Sequence, residues 1–306
     1  MPHPITLFEN LRAVPYTPFY LAIARGDWSH EGIDVRVETS PAMNQTAEAL
    51  LDGRADVSWG GPMRVMTYHD ADPKSSLVCF GQVVAGDPFI LVGRTQKRNF
   101  RFADLIGQRL AVAIEAPTPW LTFQDDLSRA GIDPHGLRRL KDRPMVENVA
   151  LFKRGRLDVV QVFEPYAYTL VKSGKGHIWH RFATRGDIAY TSFYTTRTFA
   201  RRNRKTCEAL VRGIARAQAA LHRETPTEIA GQIGAFFPGL EKSALTQMIK
   251  GYRESGLWAR TPALPAEAFT RLKAALVSGG LITSDPPYER LVDERLSNAF
   301  NEETQI

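Results

Sequence analysis

Two glycines and a proline, Gly60-Gly61-Pro62, stand between a short apolar run and the residues where a helix is expected to begin. The run before them, residues 55–59, is predicted as a buried strand, and the helix after them is predicted over residues 63–70. A strand that leads directly into a helix start leaves backbone N–H groups unpaired at the carboxyl edge of a sheet. Open α/β sheets bind ligands at that edge, so this stretch predicts a ligand-binding site.

A second copy of the same arrangement lies about fifty residues further along. A predicted strand at 110–114 is followed by Glu115 and a Pro-rich helix start that includes Thr118 and Trp120. In addition, residues 153–158 (KRGRLD) restate residues 51–56 (LDGRAD) as helix end, Gly turn, basic residue and strand-opening Asp. Two such arrangements predict two α/β halves that turn their strand ends towards one cleft.

Topology then supplies the candidate ligand-binding residues, because loops at the carboxyl ends of strands face the cleft. Flat rings are frequent among them, and Tyr16, Trp59 and Trp120 are favoured as stacking walls since each lies in a loop bounded by Pro or Gly. The predicted set is Asn10, Tyr16, Thr17, Phe19, Trp59, Gly60, Gly61, Phe89, Glu115, Thr118, Trp120, Phe163, Glu164 and Tyr190.

The polar members of this set separate two ligand classes. A sulfonate or nitrate needs helix N-termini and hydroxyl or Arg donors, which Gly60, Gly61 and Thr118 could supply. A carboxylate such as Glu164 or Glu115 would repel an anion and suits an amino-pyrimidine, whose N–H groups pair with it. Either carboxylate could instead serve a salt bridge, and both ligand classes stay open at this point.

Length and composition limit the alternatives. The chain has 306 residues, of which 43% are hydrophobic and 24% charged, as expected of a globular protein with two domains. The net charge is +6, but the basic residues are scattered, so nucleic-acid binding is not predicted. No apolar run is long enough for a membrane span. Cys79 and Cys207 lack metal-ligand spacing and are expected to be buried free thiols.

Four blocks, in order, resemble the NMT1/THI5-like group of type II substrate-binding proteins of ABC transporters, which includes sulfonate binders. The blocks are 18–35 (PFYLAIARGDWSHEGIDV), 51–61 (LDGRADVSWGG), 102–112 (FADLIGQRLAV) and 149–158 (VALFKRGRLD). The resemblance covers roughly residues 5–200 and is followed by a compatible helical tail. It implies a type II periplasmic-binding-protein fold, in which two α/β lobes are joined by two crossover strands with a ligand cleft between them.

Domain organisation and partners are expectations from the same resemblance. Lobe I is expected over residues 1–93 and 190–306, and lobe II over residues 94–189. The expected partners are a small-molecule ligand and an ABC transporter permease, and the protein is expected to be a monomer. A periplasmic location is expected, with the signal segment absent from this sequence, and a cytoplasmic one is the alternative.

The favoured ligand is a small heteroaromatic of the thiamine-precursor pyrimidine type, and a sulfonate, nitrate or taurine is the alternative. One branch of the group instead makes the thiamine pyrimidine from its own histidine and pyridoxal phosphate. That branch holds its cofactor through a lysine, and the matching position here is Gly60. Its cysteine-rich iron motif has no counterpart either. We therefore expect a binding protein with no catalytic residue, cofactor or metal.

Overall fold

Nine strands form two separate sheets in the part of the chain that this computed structural model describes, residues 4–42 and 45–301. The strands are β1 (Ile5–Glu9), β2 (Val35–Thr39), β3 (Val57–Gly60), β4 (Leu77–Val84), β5 (Ile90–Gly93), β6 (Leu110–Ala111), β7 (Val159–Val162), β8 (His177–Arg181) and β9 (Thr191–Thr196). The helices are α1 (Thr17–Arg25), α2 (Asp27–His30), α3 (Thr46–Leu51), α4 (Met63–Ala71), α5 (Thr118–Arg129), α6 (Met145–Lys153), α7 (Tyr166–Lys172), α8 (Arg197–Arg202), α9 (Arg204–Arg223), α10 (Pro226–Ile233), α11 (Lys242–Glu254), α12 (Ala266–Ser278), α13 (Tyr288–Leu291) and α14 (Glu294–Ser297). Among these helices, none combines the length and the apolar character needed to cross a membrane.

The first sheet has five strands in the order β2-β1-β3-β9-β4. Strands β2 and β3 run parallel to β1, whereas β9 is antiparallel to both β3 and β4. The parallel strands are connected by helices, as parallel pairing requires. Helix α1 ends at Gly26, whose φ of 68° places it in the left-handed region that favours glycine.

The second sheet has four strands in the order β6-β7-β5-β8. Strand β6 is parallel to β7, and β5 is antiparallel to both of its neighbours. Strand β6 covers two residues rather than the five predicted. The chain leaves the ladder there, and the N–H of Ala113 donates to the side chain of Gln161 at 3.3 Å instead.

The repeated Gly-Arg-x-Asp segment has the same geometry in both sheets. The carboxylate of Asp56 accepts the backbone N–H of Thr6 at 2.9 Å, and its own N–H donates to the Thr6 carbonyl at 3.0 Å. Asp158 makes the same two contacts with Arg109, at 2.9 Å and 3.0 Å. Each aspartate therefore fixes the start of its strand against a neighbouring segment, which is a structural role.

Two segments connect the sheets, residues 85–89 on the way out and residues 182–190 on the return. They contact each other directly, because the N–H groups of Ile188 and Tyr190 donate to the carbonyl of Ala85 at 3.0 Å and 3.3 Å. The first lobe boundary expected from the sequence, between residues 93 and 94, is wrong. Strand β5 pairs with strands of the second sheet, so the crossing between the sheets comes before β5. The other lobe boundaries stay a prediction.

The helical tail covers the edge strand β4 of the first sheet. The N–H of Gln82 donates to the Pro262 carbonyl at 2.7 Å, and the N–H of Asp293 donates to the Cys79 carbonyl at 2.9 Å. An uncovered edge strand would be a template for pairing with other chains, so the tail protects the fold. Cys79 and Cys207 are buried free thiols, as predicted, and burial raises the pKa of both to about 12.

Candidate ligand-binding cleft

A small cavity lies between the two sheets, where strand ends from both meet. The volume that the centre of a water molecule can occupy in this cavity is about 40 Å³. The residues that line it are Asn10, Leu11, Tyr16, Gly61, Met63, Arg64, Phe89, Glu115, Ala116, Thr118, Phe163, Tyr190 and Thr191. A wider groove of about 350 Å³ shares four of these residues and adjoins the cavity. The two spaces form one cleft with a narrow inner end.

The segment after β1 carries Asn10 and Tyr16 into the cavity. The amide of Asn10 donates to the Tyr16 hydroxyl at 3.1 Å, and its oxygen accepts the N–H of Leu11 at 2.9 Å. The neighbouring carboxylate of Glu9 is fully buried and accepts from Tyr20 at 2.8 Å and from other donors around it. The segment is therefore held rigidly before any ligand arrives.

Arg64 brings a positive charge to the same place. It belongs to the first turn of α4 and is 9% exposed. A methyl group at Gly60 would lie 3.2 Å from Nη1 of Arg64 and 3.3 Å from Cε1 of Tyr194. The glycine thus lets the guanidinium and the tyrosine ring approach the strand end closely, which a larger residue would prevent.

The second sheet contributes the start of α5, where Thr118 is buried and lines the cavity. The amide of Gln161, on β7, donates to the Pro119 carbonyl at 3.1 Å and so ties the helix start to the sheet. The starts of α4 and α5 therefore approach the cavity from opposite sides. A helix N-terminus carries about half a positive charge and unpaired N–H groups, which favours a negative ligand group.

Two tyrosine hydroxyls complete the polar lining. Burial raises the pKa of Tyr16 above its usual value, and burial raises that of Tyr190 well above it, with the nearby carboxylate of Asp87 adding to the effect. Both hydroxyls are therefore protonated at neutral pH and available as neutral donors or acceptors.

The two carboxylates expected to anchor a ligand are both engaged by backbone. Glu115 lines the cavity, but its oxygens accept the N–H groups of Met145 at 2.7 Å and Ile114 at 3.0 Å. Glu164 does not line the cavity and accepts the N–H of Tyr168 at 2.7 Å at the start of α7. Burial raises the pKa of Glu164 above its usual value. Both side chains cap helices of the second lobe.

The cavity brings together eight of the fourteen residues predicted as ligand-binding. They are Asn10, Tyr16, Gly61, Phe89, Glu115, Thr118, Phe163 and Tyr190. Four of the eight carry aromatic rings, and those of Phe89 and Phe163 lie edge to face with centroids 5.2 Å apart. Whether these residues bind a ligand stays a prediction.

The six others lie elsewhere for identifiable reasons. Trp59 and Phe19 are fully buried and stack on each other with ring centroids 4.0 Å apart, because Trp59 points to the sheet face covered by α1. Thr17 donates to the Val14 carbonyl at 2.7 Å. Gly60 makes room for Arg64, and Glu164 caps α7, as described above.

Trp120 points away from the cavity although Thr118 faces it. Two residues along an α-helix turn the side chain by about 200°, so the two positions cannot share a face. The Trp120 ring instead lies against the guanidinium of Arg139, 4.6 Å from the ring centroid, on an outer groove. The expectation that Trp59 and Trp120 form the walls of the cleft is therefore wrong, and Tyr16 alone of the three lines the cavity.

Sequence reasoning missed five lining residues, Leu11, Met63, Arg64, Ala116 and Thr191. Arg64 is the one that changes the chemistry, because it adds a positive charge to the cavity lining. Its position three residues after Gly61 is a signal that the sequence offers. A residue in the first turn of a helix lies beside the unpaired backbone N–H groups at the helix start.

Two α/β lobes, joined by two crossing segments and closing on a polar gap, define the class of type II periplasmic binding proteins. A model of the NMT1-like family matches residues 11–234 of the chain. The protein belongs to the NMT1-like family, as the sequence blocks indicated.

Individual relatives agree with this placement at low sequence identity. The chain is 24% identical over 306 residues to YtlA of Bacillus subtilis (strain 168), which is provisionally named a binding protein; the match covers 98% of this chain and 90% of that one. The fold is similar to the periplasmic aliphatic sulphonate binding protein SsuA from Escherichia coli, at a TM-score of 0.76 and 16% identity over 98% of this chain and 100% of SsuA. The desulfurization enzyme DSZB is also similar, at a TM-score of 0.68 and 15% identity over 98% and 99% of the two chains. These structural likenesses establish the fold.

Proposed function

We propose that this protein is a non-catalytic solute-binding component of an ABC importer, and that its cleft takes a small organic anion of the sulfonate type. The observation that carries the ligand class is the convergence of Arg64 and the starts of α4 and α5 on one cavity. A buried guanidinium and two helix N-termini stabilise negative charge. The role of SsuA as a sulphonate binder supports the same choice.

The importer role supplies the remaining parts of the proposal. The protein acts as a monomer in the periplasm, meets its ligand there and delivers it to a membrane permease. Family membership and the binding-protein name of YtlA support this role. The ligand is released unchanged, so mass spectrometry of the ligand after prolonged incubation with the protein should recover it intact. Conversion of the ligand would favour an enzyme, of which DSZB is an example in this fold.

Calorimetric titration tests the ligand class directly. Short alkanesulfonates, nitrate, taurine and an amino-pyrimidine are titrated into the wild-type protein and into Arg64→Gln. We expect a sulfonate to bind the wild type, and Arg64→Gln to weaken binding about tenfold or more, because a hydrogen bond to a charged group contributes about 1.5–3 kcal/mol. The matched control is Arg139→Gln, which removes a guanidinium that contacts Trp120 outside the cavity and should leave the affinity unchanged. An Arg64→Gln protein that kept full sulfonate affinity would contradict the proposal.

A thiamine-precursor pyrimidine is the second candidate, favoured by the four aromatic rings of Tyr16, Phe89, Phe163 and Tyr190 around the cavity. Ring stacking contributes about 0.5–1.5 kcal/mol per pair beyond buried area. Binding of the amino-pyrimidine alone in the titration would select this candidate. Loss of that binding in Glu115→Gln would then assign the carboxylate as its partner.

A further inference from the structure

The end of α11 contacts the wall that the second lobe contributes to the cleft. Tyr252 is 1% exposed, and its hydroxyl accepts the backbone N–H of Glu164 at 2.9 Å. Glu164 directly follows Phe163, which lines the cavity at the end of β7. The Tyr252 hydroxyl therefore holds the backbone of one cleft wall.

The same tyrosine is connected to the opposite wall through Trp258. The two rings lie edge to face with centroids 5.8 Å apart. The indole N–H of Trp258 donates to the Pro15 carbonyl at 2.7 Å, one residue before Tyr16, which lines the cavity from the first lobe. Trp258 also forms a β-bridge with Val84 of β4, so it is attached to the first sheet.

Two neighbouring contacts keep α11 close to the second lobe and to the crossing. A methyl group at Gly251 would lie 2.8 Å from Nη2 of Arg181 on β8, so the guanidinium of Arg181 packs closely against α11. The carbonyl of Leu257 accepts the N–H groups of Ala85 and Gly86 at 2.9 Å and 3.0 Å, in the outgoing crossing segment. Thus the Tyr252–Glu164 bond joins the lobes beside the segments about which they would rotate.

We infer that Tyr252 is a positioning residue for ligand binding, whose hydrogen bond to Glu164 stabilises the closed cleft and is broken when the lobes separate. Tyr252 contacts Trp258, which is attached to the first sheet, whereas Glu164 follows β7 of the second sheet. Separation of the lobes would therefore lengthen the Tyr252–Glu164 contact, and a hydrogen bond at 2.9 Å is lost once its atoms separate beyond about 3.5 Å. A bond made only in the closed state raises the population that is competent to hold ligand, and the apparent Kd falls in proportion. This role rests on the proposed function as a solute-binding protein that closes around its ligand.

The test compares two variants of the full chain, each lacking one tyrosine hydroxyl. Tyr252→Phe removes the bond between the lobes and keeps the ring. Tyr288→Phe is the matched control, because the Tyr288 hydroxyl donates to the Leu264 carbonyl within the region packed on the first sheet. With the sulfonate found by titration, we expect Tyr252→Phe to raise Kd about two- to tenfold and Tyr288→Phe to leave Kd unchanged, even where both lower Tm. A Kd for Tyr252→Phe equal to that of the wild type, or an equal rise in both variants, overturns the inference.

Small-angle X-ray scattering of the ligand-free proteins tests the same inference without a known ligand. We expect a larger radius of gyration for Tyr252→Phe than for the wild type and for Tyr288→Phe. Equal radii for all three proteins overturn the role of Tyr252. If no sulfonate binds the wild type, the proposed ligand fails, and the scattering result alone decides on Tyr252.

Discussion

Asp126 is a half-buried acid on α5 that contacts Arg185 at 2.5 Å beside the returning segment between the lobes. Burial raises its pKa to about 6, and the carboxylates of Asp87 and Asp125 add to that effect, while Arg185 and Arg129 oppose it. Arg185 also lies 3.6 Å from the fully buried Asp87 on the outgoing segment. Charge at this junction therefore changes within the physiological pH range.

The direction of the pH effect follows from proton uptake. Between about pH 4 and pH 6 the folded protein holds the Asp126 proton and the unfolded chain releases it, so the free energy of unfolding falls as pH rises. The total decrease in the free energy of unfolding from this group is about 3 kcal/mol. We expect Asp126→Asn to remove this part of the pH dependence. Urea unfolding at pH 4.5 and pH 7 measures it. The control is Asp125→Asn, at a carboxylate that pairs with Arg129 at the surface; it should keep most of the wild-type dependence, because burial of Asp126 is the largest cause of its raised pKa. Identical pH dependence in Asp126→Asn and the wild type would contradict the assignment.

Helix α9 is the element on which the first lobe is assembled. It spans twenty residues, and Trp28 packs against it with its indole N–H donating to the Leu210 carbonyl at 3.1 Å. The contact depends on Gly213, where a methyl group would lie 2.2 Å from Cδ1 of Trp28. Gly213 therefore sets the distance between α9 and the neighbouring helices α1 and α2 of the first lobe.

Adding one methyl group at this contact should destabilise the folded protein. We expect Gly213→Ala to lower the free energy of unfolding by about 1–3 kcal/mol, the usual range for overpacking a core. The matched control is Gly231→Ala in α10, where the nearest group is the flexible end of Lys242 at 3.2 Å. That change should leave stability unchanged or raise it by up to about 1 kcal/mol, since alanine favours a helix more than glycine does. Chemical denaturation measures both, and equal effects of the two substitutions would refute the close contact.

At the scale of the whole molecule, the two lobes share one continuous apolar core. A single cluster of buried side chains includes Trp59 of the first sheet, Val160 of the second and Trp258 of the tail. The tail also touches the second lobe directly, because a methyl group at Gly279 would lie 2.2 Å from Cδ2 of Leu121 on α5. The lobes are therefore coupled in folding although they carry separate sheets.

This coupling predicts that the ligand-free protein unfolds in one thermal transition. Differential scanning calorimetry should give a calorimetric enthalpy equal to the van't Hoff enthalpy, the criterion for a cooperative unit. Ligand at a hundredfold excess over its Kd should move the whole transition upwards, by the equivalent of about 2.7 kcal/mol. Two resolved transitions, with only one of them shifted by ligand, would show instead that the lobes unfold independently.

The sequence by itself determined the α/β class, the family, the two repeated strand-opening aspartates and the burial of both cysteines. These features depend on local periodicity, on glycine turns and on residues close together in the chain. It also placed most of the cavity lining, because residues at the carboxyl ends of strands must meet at one edge of a sheet.

Tertiary structure alone decided which side chains enter the cavity. Trp59 and Trp120 occupy strand and helix positions whose direction depends on the neighbouring layer. Glu115 caps the start of α6, thirty residues further along the chain. Arg64 reaches the cavity because Gly60 leaves room for its guanidinium beside the Tyr194 ring. Tyr194 lies on β9, more than a hundred residues further along the chain. Such pairings depend on packing between distant segments, which no local pattern in the sequence encodes.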